Sequence, residues 1–199
     1  MTGSLVYFND RFVPASQAKL NNFVLVIVLG ATLTEMKPTI CIHSFPPQFI
    51  EPKMENRSRL HWFLAAKQSR AVDPRAITLL LALDGNFTGC AGSNLVIVMG
   101  NTIISPTTRN ILWGVSLQTV KELAPQTGME FIEKDFQPHD VVSADEAWLI
   151  TAHYCMAPCT KINTTPIGDG NPGHWFRKMI GVWSRRVGLN IEEQVLADA

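Results

Sequence analysis

The chain has 199 residues, 46% of them apolar and 17% charged, and its 17 basic and 17 acidic side chains balance to zero. It is long enough to bury a real core and too apolar for disorder, with fewer charges than the roughly 25% of an average soluble domain. A neutral balance supplies no general attraction to nucleic acid or to an anionic membrane, so neither is expected as a partner.

The N-terminal MTGSLVYFNDRF has no basic lead into an apolar core, so no secretory signal is expected. Residues 5–14 place two short apolar stretches around Asn9-Asp10, a β-hairpin pattern. The run FVLVIVL at residues 23–29 reads as a buried strand. It is far short of the roughly 20 residues that cross a bilayer, so a soluble, cytoplasmic protein is expected. Residues 39–45, TICIHSF, alternate like a strand, and Pro46-Pro47 ends it and marks the best candidate boundary. Residues 57–74 predict a helix with Leu60, Phe63, Leu64 and Lys67 on one face, stopped at Asp73-Pro74.

Residues 77–83 predict a strand that turns at Asp84-Gly85, and residues 95–104 a hairpin turning at Gly100-Asn101. A helix is expected from Ser116 to Gly128, with free backbone N–H groups at residues 114–116 able to face an anion. GMEFIEKDF and EAWLIT predict two more strands. PIGDGNPG forms a loop into a helix whose Trp175, Met179, Ile180 and Trp183 make an apolar stripe ending at Gly188.

Four cysteines stand at 41, 90, 155 and 159, with no C-x-x-C pair. They do not form a secreted disulfide framework. His153, Cys155 and Cys159 are zinc-ligand types, but their spacing matches no zinc module, so no metal is expected and buried free thiols are. Arg177, Lys178, Arg185 and Arg186 read as a solvated helix face, and His43 and His61 as structural. GDGNPG lacks both phosphate-loop orders and reads as a turn before a helix. From the residues alone the chain is a soluble α+β protein.

Four blocks in order carry a resemblance: MENRSRLHWFLA, LDGNFTGCAGSNLVIV, SPTTRNILWGVSLQTVKELA and DEAWLITAHYCMAPCTKINTTPIGDGNPG. Together they resemble the class IV aminotransferases, the pyridoxal-phosphate (PLP) enzymes that include branched-chain and D-amino-acid aminotransferases and aminodeoxychorismate lyase. LVYFNDRFVPASQAKL resembles the opening strands of the family's small domain, and NNFVLVIVLGATLTE the stretch after it. The resemblance implies a fold-type-IV large domain, β-rich and barrel-like with flanking helices, over residues 46–199. A remnant of the small α/β domain is expected over residues 1–45. It also implies PLP as cofactor, amino acids and 2-oxo acids as substrates, and a homodimer. Between its N-terminal stretch and residue 53 this chain is much shorter than the family. A segment with an arginine that holds the cofactor phosphate falls in that interval.

Transamination needs a lysine amine, an acid that keeps the pyridine nitrogen protonated, and donors for the phosphate. By resemblance the lysine position is Glu55, which cannot form an imine, and the acid position is Gly89, which has no side chain. Lys53 is an alternative amine, because in an extended strand it shares a face with Glu55 about 6.6 Å away. Leu112, Val115, Ser116, Thr151, Ala152 and Ser93 match cofactor-binding positions, while Val24 and Val26 replace the family's Asp and Gly. The resemblance thus implies an impaired aminotransferase. The alternative is a non-catalytic scaffold of the same fold that binds a phosphate-bearing ligand or a partner.

Overall fold

The computed structural model describes residues 5–8, 11–14, 37–41, 60–72, 74, 76–82, 84–90, 92–163 and 165–197. The expected strand at 23–29, the boundary at Pro46-Pro47, and Val24, Val26, His43, Lys53 and Glu55 lie outside the described residues. The expected N-terminal hairpin pairs β1 (Leu5–Phe8) with β2 (Arg11–Pro14) and brings Tyr7 opposite Phe12. β3 (Lys37–Cys41) begins two residues before the expected strand and runs parallel to β4 (Ala76–Leu81). β5 (Phe87–Cys90) closes this three-stranded sheet antiparallel to β4.

Between β3 and β4 lies α1 (Leu60–Val72). Its expected apolar face is corrected by the structure, for Phe63 is 65% exposed, Leu64 51%, and Lys67 is exposed. The buried face carries Ala65 and Ser69 instead, four residues apart and so on one side of the helix. Small side chains let the helix lie close on β4. There the Thr78 hydroxyl donates to Ser69 Oγ at 2.8 Å, and Ser69 Oγ donates to the Ala65 carbonyl at 3.2 Å.

The second sheet is built from β6 (Asn94–Met99), β7 (Thr102–Ser105), β8 (Glu130–Glu133), β9 (Glu146–Thr151) and β10 (Cys155–Pro158). Its order is β10-β9-β6-β7-β8, antiparallel except for the β7–β8 pair. The sequences NLVIVM and EAWLIT are almost continuously apolar because both faces of this sheet are covered. Val96, Val98, Trp148 and Ile150 pack against α2 (Val115–Thr127) and α4 (His174–Val187), through Leu117, Val120, Met179 and Trp183. The alternate residues Leu95, Ile97, Ala147 and Leu149 face Leu79, Phe87 and Cys90 of the first sheet. A five-residue helix α3 (Pro138–Val142), a short pair β11 (Lys161–Ile162) and β12 (Thr165–Pro166), and a C-terminal α5 (Ile191–Ala197) complete the described elements. Gly128 and Gly188 end α2 and α4 where the sequence places them.

Candidate active site

Because β6 and β9 are antiparallel with Asn94 opposite Ile150, the start of β6 and the end of β9 meet at one edge. Asn94 organises that edge. Its Nδ2 donates to the Leu112 carbonyl at 2.9 Å, which ties the loop before α2 to the sheet. Its Oδ1 would stand 2.9 Å from a Cβ on Gly114, so glycine there lets the loop approach closely. Thr151 Oγ1 donates to the Gly92 carbonyl at 2.8 Å. Ser93 Oγ lies 3.3 Å from the buried Tyr154 hydroxyl.

These contacts tie the 92–94 segment, with Ser93, to the loop carrying Leu112 and to Thr151, and Val115, Ser116 and Ala152 follow directly in the chain; these are the six positions the resemblance marks for a cofactor. Thr151 is buried, Ser93 and Ser116 are half-buried, and Leu112, Val115 and Ala152 face solvent, Val115 at 76% exposure. Helix α2 starts one residue earlier than expected, after an extended Gly114 at φ −66° and ψ 149°, an N-cap residue with no side chain to cap it. Its first N–H groups and the positive end of its dipole suit an anion. Gly89 lies at the same edge: Cys90 bridges to Ser93, and a Cβ on Gly89 would meet the Ser93 carbonyl at 3.5 Å.

At the positions the resemblance marks, the residues present suit the phosphate of PLP and lack an acid for its pyridine nitrogen. The start of α2 offers backbone N–H groups to an anion, the Ser93 and Thr151 hydroxyls already meet Tyr154 and the Gly92 carbonyl, and Gly89 has no side chain.

Two residues that the sequence reading leaves without a role prove central. Asn94 is one, and its signal is its place in the block LDGNFTGCAGSNLVIV that the resemblance already aligned. Glu146 is the other. It is 8% exposed and accepts from Trp148 Nε1 at 2.9 Å and from the backbone N–H groups of Trp175 at 2.7 Å and Phe176 at 2.9 Å. It therefore caps α4 from a different strand. The glycine-rich loop is shaped by this contact, since a Cβ on Gly173 would run into the Glu146 carboxyl and one on Gly168 into the Asp145 carbonyl.

Of the remaining candidates, Cys90 and Cys159 are buried thiols, with the Cys159 pKa pushed up to about 12 and that of Cys90 also raised by burial. Burial raises the Tyr154 hydroxyl and, less deeply, the Cys155 thiol as well. Thiolate is the nucleophile and the metal ligand, so these groups are held in their unreactive form. Among the described residues no group of three His, Cys, Asp or Glu side chains is placed to hold a metal.

Known proteins share this arrangement of elements. A family model described as amino-transferase class IV matches residues 8–162. A D-alanine aminotransferase of Bacillus licheniformis is 26% identical over 162 residues, covering 72% of this chain and 56% of the relative. A putative branched-chain-amino-acid aminotransferase of Methanocaldococcus jannaschii is 25% identical over 144 residues, covering 71% and 49%. The chain spans about half the length of these curated relatives. Among solved structures, the branched-chain amino acid aminotransferase from Thermobaculum terrenum in its PLP form superposes with a TM-score of 0.67 at 23% identity, covering 79% of this chain and 54% of that one. The Escherichia coli branched-chain enzyme gives 0.70 at 19% identity, covering 78% and 52%. These likenesses show a shared fold.

Proposed function

The chain belongs to the class IV aminotransferases, and from that premise we propose that its amino-transfer chemistry is impaired while the phosphate end of the coenzyme site persists. The family reaction moves an amino group between an amino acid and a 2-oxo acid, with PLP as electron sink. The observation that carries the reading is Gly89, which leaves the edge beside Ser93 without the acid that the reaction requires. Glu55 at the lysine position supports it from the sequence. The start of α2, Ser93 and Thr151 would receive the phosphate, and Leu112 would offer an apolar contact beside it.

D-alanine and branched-chain amino acids are the donors to try, because the relatives carry those names. Among the described residues no helix is long and apolar enough to cross a membrane. Self-association as a homodimer in the cytoplasm is the accompanying proposal. A second reading, a scaffold that binds a partner, is favoured by Leu112 and Val115, apolar side chains facing solvent at the site.

The test is to mix the purified full chain with PLP, record the visible spectrum, reduce with borohydride and map any adduct. Turnover is assayed in parallel with D-alanine or branched-chain donors and a 2-oxo acid. The expected result is no adduct at Lys53 or elsewhere and no turnover, with pyridoxamine 5'-phosphate retained in dialysis and displaced by inorganic phosphate. A trapped adduct with turnover would overturn the impairment. Absence of any retention would leave the scaffold.

A further inference from the structure

We propose that the acid missing at residue 89 is excluded by the backbone: a β-bulge in β5 commits that position to glycine, so the coenzyme site cannot be completed there by exchanging one side chain. This rests on the proposed reading for the role of position 89, and goes beyond it in saying why the position is empty.

The pairing of β4 with β5 shows the device. Leu79 faces Cys90 and Leu80 faces Gly89, but Leu81 faces Phe87, so Thr88 is an extra residue with no partner on β4. That is the one-residue insertion of a β-bulge. Thr88 turns its hydroxyl onto the Leu80 carbonyl at 3.3 Å. Gly89, next in the chain, takes φ +128°. This lies well beyond the left-handed well near +57° that Asn and Asp occasionally visit, in territory left to glycine.

The bulge is held in place by the core. In a regular strand, residues three apart point to opposite faces. Here Phe87 and Cys90 both sink into the cluster between the two sheets, at 0% and 3% exposure. Only the inserted residue allows that. Straightening β5 to accept an L-residue at 89 would turn either Phe87 or Cys90 out of the cluster. Keeping the bulge would force a Cβ onto a backbone at φ +128°, which strains it although the space is sufficient, the Ser93 carbonyl lying at an ordinary 3.5 Å. A glutamate at this position is therefore opposed by whichever backbone it adopts.

The experiment compares Gly89→Ala, Gly89→Glu and Thr88→Val in the full chain by denaturant midpoint, with PLP retention in dialysis as a second readout. Gly89→Ala should weaken the folding equilibrium at least about fivefold, the low end expected for a side chain forced into such a conformation. Gly89→Glu should weaken it at least as much and retain no more PLP than the natural chain. Thr88→Val, which gives up one hydroxyl contact and leaves φ untouched, should cost less than Gly89→Ala. A failure of Gly89→Glu to fold while Gly89→Ala folds with the stated loss also supports the proposal. It is overturned if Gly89→Ala is as stable as the natural chain, if Thr88→Val costs more than Gly89→Ala, or if Gly89→Glu raises PLP retention tenfold. Turnover by the natural chain would overturn the impairment reading and leave this backbone claim to be decided by the midpoints.

Discussion

Helices α2 and α4 begin in the same way and end up in opposite electrostatic situations. Each follows a glycine in extended conformation, Gly114 before α2 and Gly173 before α4, and neither has a capping side chain on that glycine. At α4 a buried carboxylate from β9 fills the gap: Glu146 takes the N–H groups of Trp175 and Phe176 and holds the indole of Trp148 as well. At α2 the neighbouring strand supplies Asn94, which bonds the Leu112 carbonyl rather than an N–H of the first turn, where Val115 is exposed, Ser116 half-buried and Leu117 buried. A helix N-terminus attracts an anion in either case. At α4 that anion is part of the fold, and at α2, on the proposed reading, it comes from outside.

The closed end should be the costlier to disturb. Glu146→Ala strands two backbone donors and an indole N–H in a region that is largely buried. Each buried donor left without an acceptor costs about 1–3 kcal/mol, so a loss of about 3–5 kcal/mol is expected once partial entry of water is allowed. Urea denaturation measures it. If Glu146→Ala unfolds within about 1 kcal/mol of the natural chain, the carboxylate is not the anchor of α4 and the contrast between the two ends collapses.

The layer between the two sheets holds buried weak acids, and alkali should loosen it. Cys90 and Cys159 and the Tyr154 hydroxyl that meets Ser93 all hold their protons more tightly when folded than when unfolded. Their stabilising effect is complete below the ordinary values, 9.0 for the thiols and 10.0 for tyrosine. It is lost as pH rises, because the unfolded chain then releases protons that the folded one retains. For Cys159 the window runs from 9.0 to about 12, at about 1.4 kcal/mol per pH unit for each such group. Denaturation midpoints should be level from pH 7 to 8 and fall above pH 9, with a shallower fall in Cys159→Ala. A level profile to pH 10.5 would mean that these groups are wet in solution.

Local patterns carried much of this fold in the sequence. The period-2 and period-3.6 repeats placed β6, β7, β9, α2 and α4, and the glycines at 128 and 188 marked both helix ends. On α1 hydrophobicity points to Phe63 and Leu64 as the buried face, whereas closeness to β4 selects the small Ala65 and Ser69. At the site, the six marked positions could be named from block order, and the identity of Gly89 could be read directly. Its φ of +128° could not, since it depends on how β5 pairs with β4. Glu146 stands in an aligned block, yet its capping role was not legible for a similar reason: its partners on α4 lie 29 and 30 residues away in the chain.

The gentlest test supplies the open end with an anion of its own. Val115 is the first residue of α2 and is mostly exposed, so Val115→Asp should disturb no packing. Valine and aspartate have similar helix propensities, which leaves the charge as the main difference. A carboxylate in the first turn stabilises a helix by about 0.5 kcal/mol, so the midpoint should hold or rise slightly. The same charge competes with an incoming phosphate, and retention of pyridoxamine 5'-phosphate should fall about tenfold, equivalent to about 1.4 kcal/mol. Val115→Asn, with the same shape and no charge, should reduce retention less. Stability and retention moving in opposite directions is the signature of an N-terminus whose anion site has been filled from within. Retention unaffected by Val115→Asp would place the phosphate elsewhere, and α2 would then be simply an uncapped helix.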